Sequence, residues 1–518
     1  MTITKPGADA AVPPPAHPRR WAGLAVLSAS LLLITMDITI LNVALPAMSA
    51  DLRPDSVQLL WIVDVYALVV SGLLVTVAAL GDRWGRRRML LAGFTVFGLA
   101  SAGILVTDGA NQVIAIRALL GLGGAMIMPS TLSMIRHLFT EPKERATALG
   151  VWAATAAVGS AVGPIVGGAL LEHFSWHSAF LVNVPVMVVA IVAGMVLLPE
   201  SRAPRPGRWD AVGTVLSIAG MVALVYAIKH FGKEGFGDPG ALAAAAIAVV
   251  LLPLFVVWCL RVPNPILEVR LFGRRAFSAG SIAALCTSLA VAAVLLLLAQ
   301  WMQLVEGHGP LEAGVRLLPA AVGAAIVSPA APWLAGRIGT RTVLAGGLVV
   351  SGSGFLVMAF GPRPLSYATV AIALALVGAG MGSLAIASAV IMVGAPPEKA
   401  GSAAAVDEVS YELGAALGVA VLGSVAAAVY RADLSFPWLA ERGVTGAAAA
   451  DARESLGGAM EVARHAGPAG AEVMARAQAA FTTSLEGASL AGGALMVLTG
   501  LLVWWLAPRD LDVSAGHH

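Results

Sequence analysis

Apolar stretches of bilayer length recur fourteen times along this chain, and they leave it few folds to adopt. The hydrocarbon core of a membrane is about 30 Å thick, so a spanning helix needs about 20 apolar residues. Within that core each backbone N–H and C=O must find its partner in the protein, which restricts spanning structures to helices and closed barrels. Stretches this long and this uniformly apolar predict helices. They lie near 21–45, 59–80, 89–106, 111–135, 147–171, 178–198, 210–230, 241–261, 277–303, 312–336, 340–361, 366–391, 402–430 and 485–507. The expected fold class is an all-α membrane protein with fourteen transmembrane helices. Composition agrees, because only 12% of the 518 residues are charged and mean hydropathy is +0.85. A soluble domain carries about twice that charge.

The same composition excludes several functions. Thirty-two Lys and Arg stand against thirty Asp and Glu, so no basic surface for nucleic acid is expected. Two cysteines, Cys259 and Cys286, provide no disulfide framework, and no His or Cys spacing fits a metal. The Gly-rich runs lie inside apolar helices rather than between a strand and a helix, so no phosphate loop is predicted and ATP is not the expected energy source. No enzyme chemistry and no cofactor are expected. The Pro- and Ala-rich segment 1–20 lacks the apolar core of a signal peptide, so the first span is expected to stay in the membrane.

Basic residues in short loops set orientation. Lys5, Arg19, Arg20, Arg83, Arg86–Arg88, Arg136, Lys143, Arg145, Arg202, Arg205, Arg208, Arg261, Arg270, Arg274, Arg275, Arg337, Arg341, Lys399 and Arg509 fall on one side. The other side has Arg53, Lys233 and Arg363, with Lys229, Arg316 and Arg431 near helix ends. Both termini are therefore expected in the cytoplasm. The one long outer loop, 432–484, is Ala-rich with mixed charge. It reads either as two amphipathic helices forming a hairpin broken near Gly467-Pro468, or as a mobile insert.

Charged side chains within spans are expensive and mark function by default. Asp37 falls near the middle of the first predicted span. Asp407, Glu408 and Glu412 fall within six residues of the thirteenth, where three acids cannot all stay ionised cheaply. A carboxyl that exchanges a proton for a cation is the simplest basis for coupled transport. Asp407 also reads as a helix cap. Asp64 reads either as an access-site acid or as the partner of Arg117, the one basic residue well inside a span. A fifth-span run, Gly159-Ser160-Ala161-Val162-Gly163-Pro164-Ile165-Val166-Gly167-Gly168, strips side chains from one helical face and adds a kink point. It reads as a seam between moving halves or as plain tight packing. Asp82, Arg83, Gly85 and Arg86 lie in the loop after the second span. Asp82 there can accept from a neighbouring helix end as a conformational latch. Arg337, Gly339 and Arg341 resemble a degenerate second copy of that loop, which hints at an internal repeat. Trp61, Tyr66, Trp152, Trp301 and Tyr411 are candidate cation–π surfaces. Core packing or interface anchoring is the plainer reading for each of them.

Together these runs carry a family resemblance. Met36-Asp37-Ile38-Thr39-Ile40-Leu41-Asn42-Val43-Ala44-Leu45-Pro46, Leu80-Gly81-Asp82-Arg83-Trp84-Gly85-Arg86-Arg87-Arg88, Arg117 with Gly121, and Gly159 to Gly168 resemble the motifs of the fourteen-span drug:proton antiporters of the major facilitator superfamily. Leu59-Leu60-Trp61-Ile62-Val63-Asp64-Val65-Tyr66 and Ala404-Ala405-Val406-Asp407-Glu408-Val409-Ser410-Tyr411-Glu412 are similar to the narrower QacA-type pattern. The resemblance implies two six-helix bundles plus two additional helices. The segments would be a tail 1–20, a bundle 21–198, linker helices 199–276, a bundle 277–507 containing the loop 432–484, and a tail 508–518. It implies a monomeric proton-driven exporter of lipophilic cationic drugs, dyes and quaternary ammonium antiseptics in a bacterial inner membrane. Its partners would be those small cations, protons and lipid. It also implies a role for the Gly159–Gly168 run in antiport and for Arg117 in proton coupling. Three departures stand out: Ala78 replaces a usual Gly, Leu120 a frequent Gln, and Ala324 an acid found in some exporters of dications, so monovalent cargo is expected. A narrow-specificity exporter or a non-transporting sensor of the same fold remains an alternative.

Overall fold

The computed structural model describes residues 18–52, 54, 56–202, 210–234, 237–396, 399–509 and 511. Lys5, Arg53, Arg205, Arg208, most of the two expected tails, and the side chains of Asn42, Pro46 and Lys233 lie outside the described residues. The described residues form helices and no strand. Fourteen helical segments are long and apolar enough to cross a membrane. They are α1 Arg20–Leu52, α2 Ser56–Trp84, α3 Arg86–Val106, α4 Ala110–Leu138, α5 Pro142–His173, α6 Ser178–Leu197 and α7 Ala211–Glu234. There follow α8 Pro239–Arg261, α9 Arg275–Val305, α10 Leu311–Ile338, α11 Thr340–Phe360, α12 Tyr367–Gly394, α13 Ala400–Asp433 and α14 Gly470–Leu506. Local chemistry marks some starts. Asp238 caps α8 by accepting from Gly240 N and Ala241 N, and Ser366 caps α12 by accepting from Thr369 N.

The helices form two six-membered bundles, α1–α6 and α9–α14, with the same neighbours in each. The first helix of each half packs along the fifth, the second along the fourth, and the third against the fourth and sixth. The halves meet through α5 against α10 and α13 against α2, again equivalent pairs. Helices α7 and α8 pack on each other, and α7 leans on α2 and α13. The turn between the second and third helix of each half bends at a left-handed glycine, Gly85 (φ 117°) and Gly339 (φ 89°). This matches the repeat hinted at by Arg337, Gly339 and Arg341.

The glycine run of α5 lies against α1. A Cβ at Gly159 would strike Thr35 Oγ1 and sit 2.7 Å from Leu32 O; at Gly163 it would strike Thr39 Oγ1 and sit 2.9 Å from Met36 O. Gly167 faces Ile40, while Gly168 and Pro164 face α10 through Leu311 and Gly314. So the run serves two contacts, one inside its half and one across to the other. The equivalent pair in the second half is built the same way: Gly414 and Gly418 of α13 approach the carbonyls of Leu285 and Leu289 on α9.

The largest departure from expectation is at the last span. Helix α14 begins at Gly470, not near 485, so the second arm of the predicted hairpin is the membrane helix itself, 37 residues long. At 1.5 Å per residue that is about 55 Å, far more than a bilayer core. The break near Gly467-Pro468 is present, with Gly467 at φ 57°. The first arm is three short helices, Phe436–Ala440, Gly446–Glu454 and Leu456–His465. They pack as a cap on the protruding turns of α13 and α14: Ala452, Leu456 and Ala459 are buried with Val473 and Ala477, and Tyr430 donates to Ala452 O at 3.1 Å. Small residues let these helices approach closely, so a polar composition still yields a packed cap.

Gly163→Val is expected to cost about 1–3 kcal/mol, because neither Thr39 nor the α1 backbone can retreat from the added methyls. Thermal unfolding in detergent reads this directly. A melting temperature equal to wild type would contradict the close α1–α5 contact.

Candidate functional site

Inside the first half one arginine gathers the polar groups. Arg117, on the second turn of α4, is fully buried and donates from Nη1 to Asp37 Oδ2 at 3.2 Å. Its Nε donates to Ile62 O of α2 at 3.2 Å, and its Cζ lies 4.7 Å from the Tyr66 ring centre. The second oxygen of Asp37, Oδ1, accepts from Asn183 Nδ2 of α6 at 2.7 Å, and the same amide reaches Ser101 Oγ of α3 at 3.3 Å. Five helices thus join in one network, in which α4 and α6 satisfy both oxygens of the α1 carboxylate. An unpaired guanidinium in hydrocarbon would be very costly, which is why so many elements contribute. The carboxylate in contact with Arg117 is Asp37, not Asp64. Asp37 is the eighteenth of the 33 residues of α1, near the middle of that helix.

The acids of α13 are placed differently. Asp407 and Glu408 are buried, and Glu412 is half-buried. Asp407 Oδ2 accepts from Ser388 Oγ of α12 at 2.8 Å, while Asp407 Oδ1 and Glu408 Oε1 are buried without a hydrogen-bond partner. Among the described residues neither acid has a salt bridge. Asp407 sits two turns inside α13, which starts at Ala400, so it does not cap that helix. Glu412 is twelve residues into the helix, about 18 Å of rise from its start. The buried Tyr66 hydroxyl makes no hydrogen bond and is within electrostatic reach of Asp37, Glu408 and Glu412.

Asp64 pairs with Lys229 Nζ of the linker helix α7 instead of with Arg117. Beside it, the partly exposed Trp61 ring lies 6.5 Å from Tyr226 of α7. The other aromatics divide. Tyr411 is half-buried next to Glu412, and its carbonyl accepts from Ser288 Oγ at 2.6 Å. Trp152 donates its indole N–H to Thr131 Oγ1 at 3.2 Å, and Trp301 donates to Thr482 Oγ1 at 3.0 Å. Both indoles are anchored within their own bundle, Trp301 in a wide helical turn at the end of α9.

On the face carrying Arg83–Arg88, side chains tie the halves together. Asp82 Oδ1 accepts from Arg86 Nη2 at 2.7 Å and Nε at 3.0 Å, while Asp82 Oδ2 accepts from the backbone N–H of Gly401 at 3.1 Å, at the start of α13. A helix N-terminus presents unpaired N–H groups and positive potential, so this carboxylate both caps α13 and joins it to α2. Arg86 Nη1 also donates to Ser201 Oγ at 3.2 Å. Arg136 at the end of α4 adds a second tie across the halves, donating to Ala395 O at 2.6 Å. Gly85 is fixed by Glu200, whose carboxylate occupies the space of a Cβ. Arg83 is exposed and lines a separate cleft of about 430 Å³ with Trp84, Arg88 and Arg202.

Three partners escaped sequence reading. Asn183 carried a signal, a lone amide in an apolar run. Lys229 was visible but stood as a topology marker near a helix end. Ser388 carried none, since a serine in an apolar helix usually bonds its own backbone.

Two pseudo-equivalent membrane bundles with polar groups held in their interior define a transporter, not an enzyme. A family model described as the Major Facilitator Superfamily matches residues 27–419, and the chain belongs to that superfamily. It is 40% identical over 487 residues to the multidrug efflux pump LfrA of Mycolicibacterium smegmatis, covering 94% of this chain and 96% of that protein. It is 35% identical over 489 residues to the methyl viologen resistance protein SmvA of Salmonella typhimurium, covering 94% and 98%. The puromycin resistance protein pur8 of Streptomyces alboniger is 35% identical over 427 residues, covering 80% and 84%. Among solved structures the human organic anion transporter MFSD10 shares the fold, with a TM-score of 0.58 at 15% identity, covering 92% of this chain and 100% of that one.

Arg117→Met is expected to destabilise the protein by about 3–5 kcal/mol, because it strands a buried carboxylate. Adding Asp37→Asn should recover part of that loss. Thermal unfolding of both variants tests the pairing, and a double variant no more stable than Arg117→Met would contradict it.

Proposed function

We propose that this transporter is a drug exporter that exchanges protons for lipophilic organic cations, including dyes and quaternary ammonium compounds. The single observation that carries this reading is the unequal treatment of the buried acids. Asp37 has both oxygens satisfied by Arg117 and Asn183, whereas Asp407 and Glu408 each keep a buried oxygen without a partner. A compensated carboxylate is a fixed part of the scaffold. An uncompensated one is a place where a proton and an organic cation can alternate. Asp407 still holds Ser388 through Oδ2, so on this reading Glu408 and the half-buried Glu412 one turn on are the exchange acids, with Tyr411 as an aromatic neighbour. The names of the relatives, an efflux pump and two resistance proteins, support export over uptake.

The face bearing Arg83, Arg86–Arg88 and Arg136 is cytoplasmic on this reading, with both termini on that side of a bacterial inner membrane. The protein acts as a monomer, and the proton gradient is its only energy source. Breaking the Asp82–Gly401 and Arg136–Ala395 ties opens the cytoplasmic side to cargo, and remaking them closes it. One proton against one monocation moves no net charge. A second proton would add the membrane potential, about 2.3 kcal/mol per charge per 100 mV. Ala324 is fully buried in α10 and adds no carboxylate, which favours monovalent cargo.

Inside-out vesicles loaded with a pH-sensitive dye and energised by respiration test this. Addition of ethidium or tetraphenylphosphonium is expected to make the lumen more alkaline. Glu408→Gln and Glu412→Gln should each abolish the response, and methyl viologen, a dication, should give a weaker one than ethidium. Normal coupling in both variants would overturn the assignment.

A further inference from the structure

The linker helix α7 brings a cation of its own to the edge of the first bundle. Lys229 is set in an otherwise apolar stretch of α7 and places its ammonium on Asp64 of α2. Neither group is sealed away: the Asp64 side chain is 13% exposed and that of Lys229 25%. The two stand between aromatic rings. Trp61, 37% exposed, lies one turn before Asp64 on α2, and Tyr226 lies one turn before Lys229 on α7, their rings 6.5 Å apart. Tyr226 is held from behind by His230, stacked at 3.9 Å, whose Nδ1 faces Asp238 Oδ2 at 3.6 Å. The cleft among Trp61, Asp64, Leu68, Tyr226, Lys229 and His230 has a free volume of only about 10 Å³ with the lysine side chain in its lining.

A carboxylate flanked by two exposed-edge aromatics is the chemistry that recognises a lipophilic organic cation. Here a lysine already sits in it. Both members of this ion pair keep some exposure. The helix does not need it for docking, since α7 is already seated on α2 by apolar contacts such as Val222 against Gly72 and Leu216 near Val75 and Ala78. We propose that Asp64, Trp61 and Tyr226 form an organic-cation site between α2 and α7, that Lys229 occupies it as a tethered counter-cation, and that cargo binds there by displacing the lysine ammonium. This rests on the organic-cation reading above and extends it to a site and to a role for one of the two additional helices. A built-in competitor sets a threshold. Inorganic cations, with no apolar surface, gain nothing from the aromatic walls and do not displace the lysine, whereas a greasy monocation gains from both. On Asp64 the Lys229 ammonium is within electrostatic reach of Glu412 on α13, so moving it off is felt at an acid of the second half.

Ethidium binding to the purified full chain in detergent, followed by fluorescence anisotropy, tests the inference. K229A removes the competitor and opens the cleft. If the lysine occupies the site most of the time, its loss should tighten binding by about five- to tenfold. K229R, which retains the competing charge, should show no such gain. D64N should weaken binding, and D64N/K229A should bind no more tightly than D64N, because the gain depends on the freed carboxylate. Three results would overturn the inference: K229A binding no tighter than wild type, a gain in K229A that persists without Asp64, or a K229A protein that aggregates while K229R stays monodisperse, which would make the pair a clamp. Wild type that binds neither ethidium nor tetraphenylphosphonium would instead remove the organic-cation reading itself, and this site with it.

Discussion

A guanidinium inside a bilayer is the constraint around which the first half of this protein is arranged. Arg117 cannot shed its charge and cannot be left alone in hydrocarbon. Its neighbours answer from separate helices: a carboxylate from α1, a carbonyl and a ring from α2, and, through that carboxylate, an amide from α6 and a hydroxyl from α3. The network fixes the packing of the bundle as firmly as its apolar contacts do. It also has a consequence for function, since a carboxylate spent on balancing Arg117 is not free to trade protons for cargo. The acids of α13 have no such obligation. Two of their oxygens, Asp407 Oδ1 and Glu408 Oε1, are buried without a hydrogen-bond partner. The Tyr66 ring lies against Arg117, and its hydroxyl is within electrostatic reach of Glu408 and Glu412.

Rigid halves and thin ties suit the proposed use of such a site from both sides. Within each half, backbone-to-backbone contact at glycines locks the first helix to the fifth, Gly159 and Gly163 on α1 in one case and Gly414 and Gly418 on α9 in the other. Between the halves, on the Arg83–Arg88 face, the polar connections are few: Asp82 to the first turn of α13, and Arg136 to the end of α12. Close-packed seams resist deformation while a handful of hydrogen bonds can break and reform, so the expected motion is one half rocking on the other. The linker helices α7 and α8 ride on the outside of this pair, with α7 touching both α2 and α13.

Much of this was legible from residues alone, for stated reasons. Membrane spans were readable because lipid enforces length and apolarity together. The exception, α14, starts fifteen residues before the expected position because its protruding turns, from Gly470, are alanine-rich and charged and are covered by a protein cap instead of lipid. The Gly467-Pro468 break was readable because only glycine adopts that backbone angle cheaply. Asp37, Asp64, Arg117 and the α13 acids were readable as costly charges. Their pairings were not, since Lys229 lies 165 positions from Asp64 and Asn183 lies 146 from Asp37, and no local pattern encodes such contacts. The aromatics were the least legible: Trp61 and Trp301 look alike in sequence, yet one lines a cleft beside a carboxylate and the other is tied to Thr482 in the second bundle.

The central claim is that the proton given up to cargo comes from the acids of α13 and not from the carboxylate held by Arg117. Infrared difference spectra of the protein in lipid, recorded on adding tetraphenylphosphonium, address it most directly, because a protonated carboxyl has a carbonyl band that vanishes on ionisation and the ligand has no carbonyl of its own. The account predicts loss of a carboxylic-acid band on binding in wild type, and no such loss when Glu408 and Glu412 are both replaced by Gln. A band that still disappears in that double variant would contradict it.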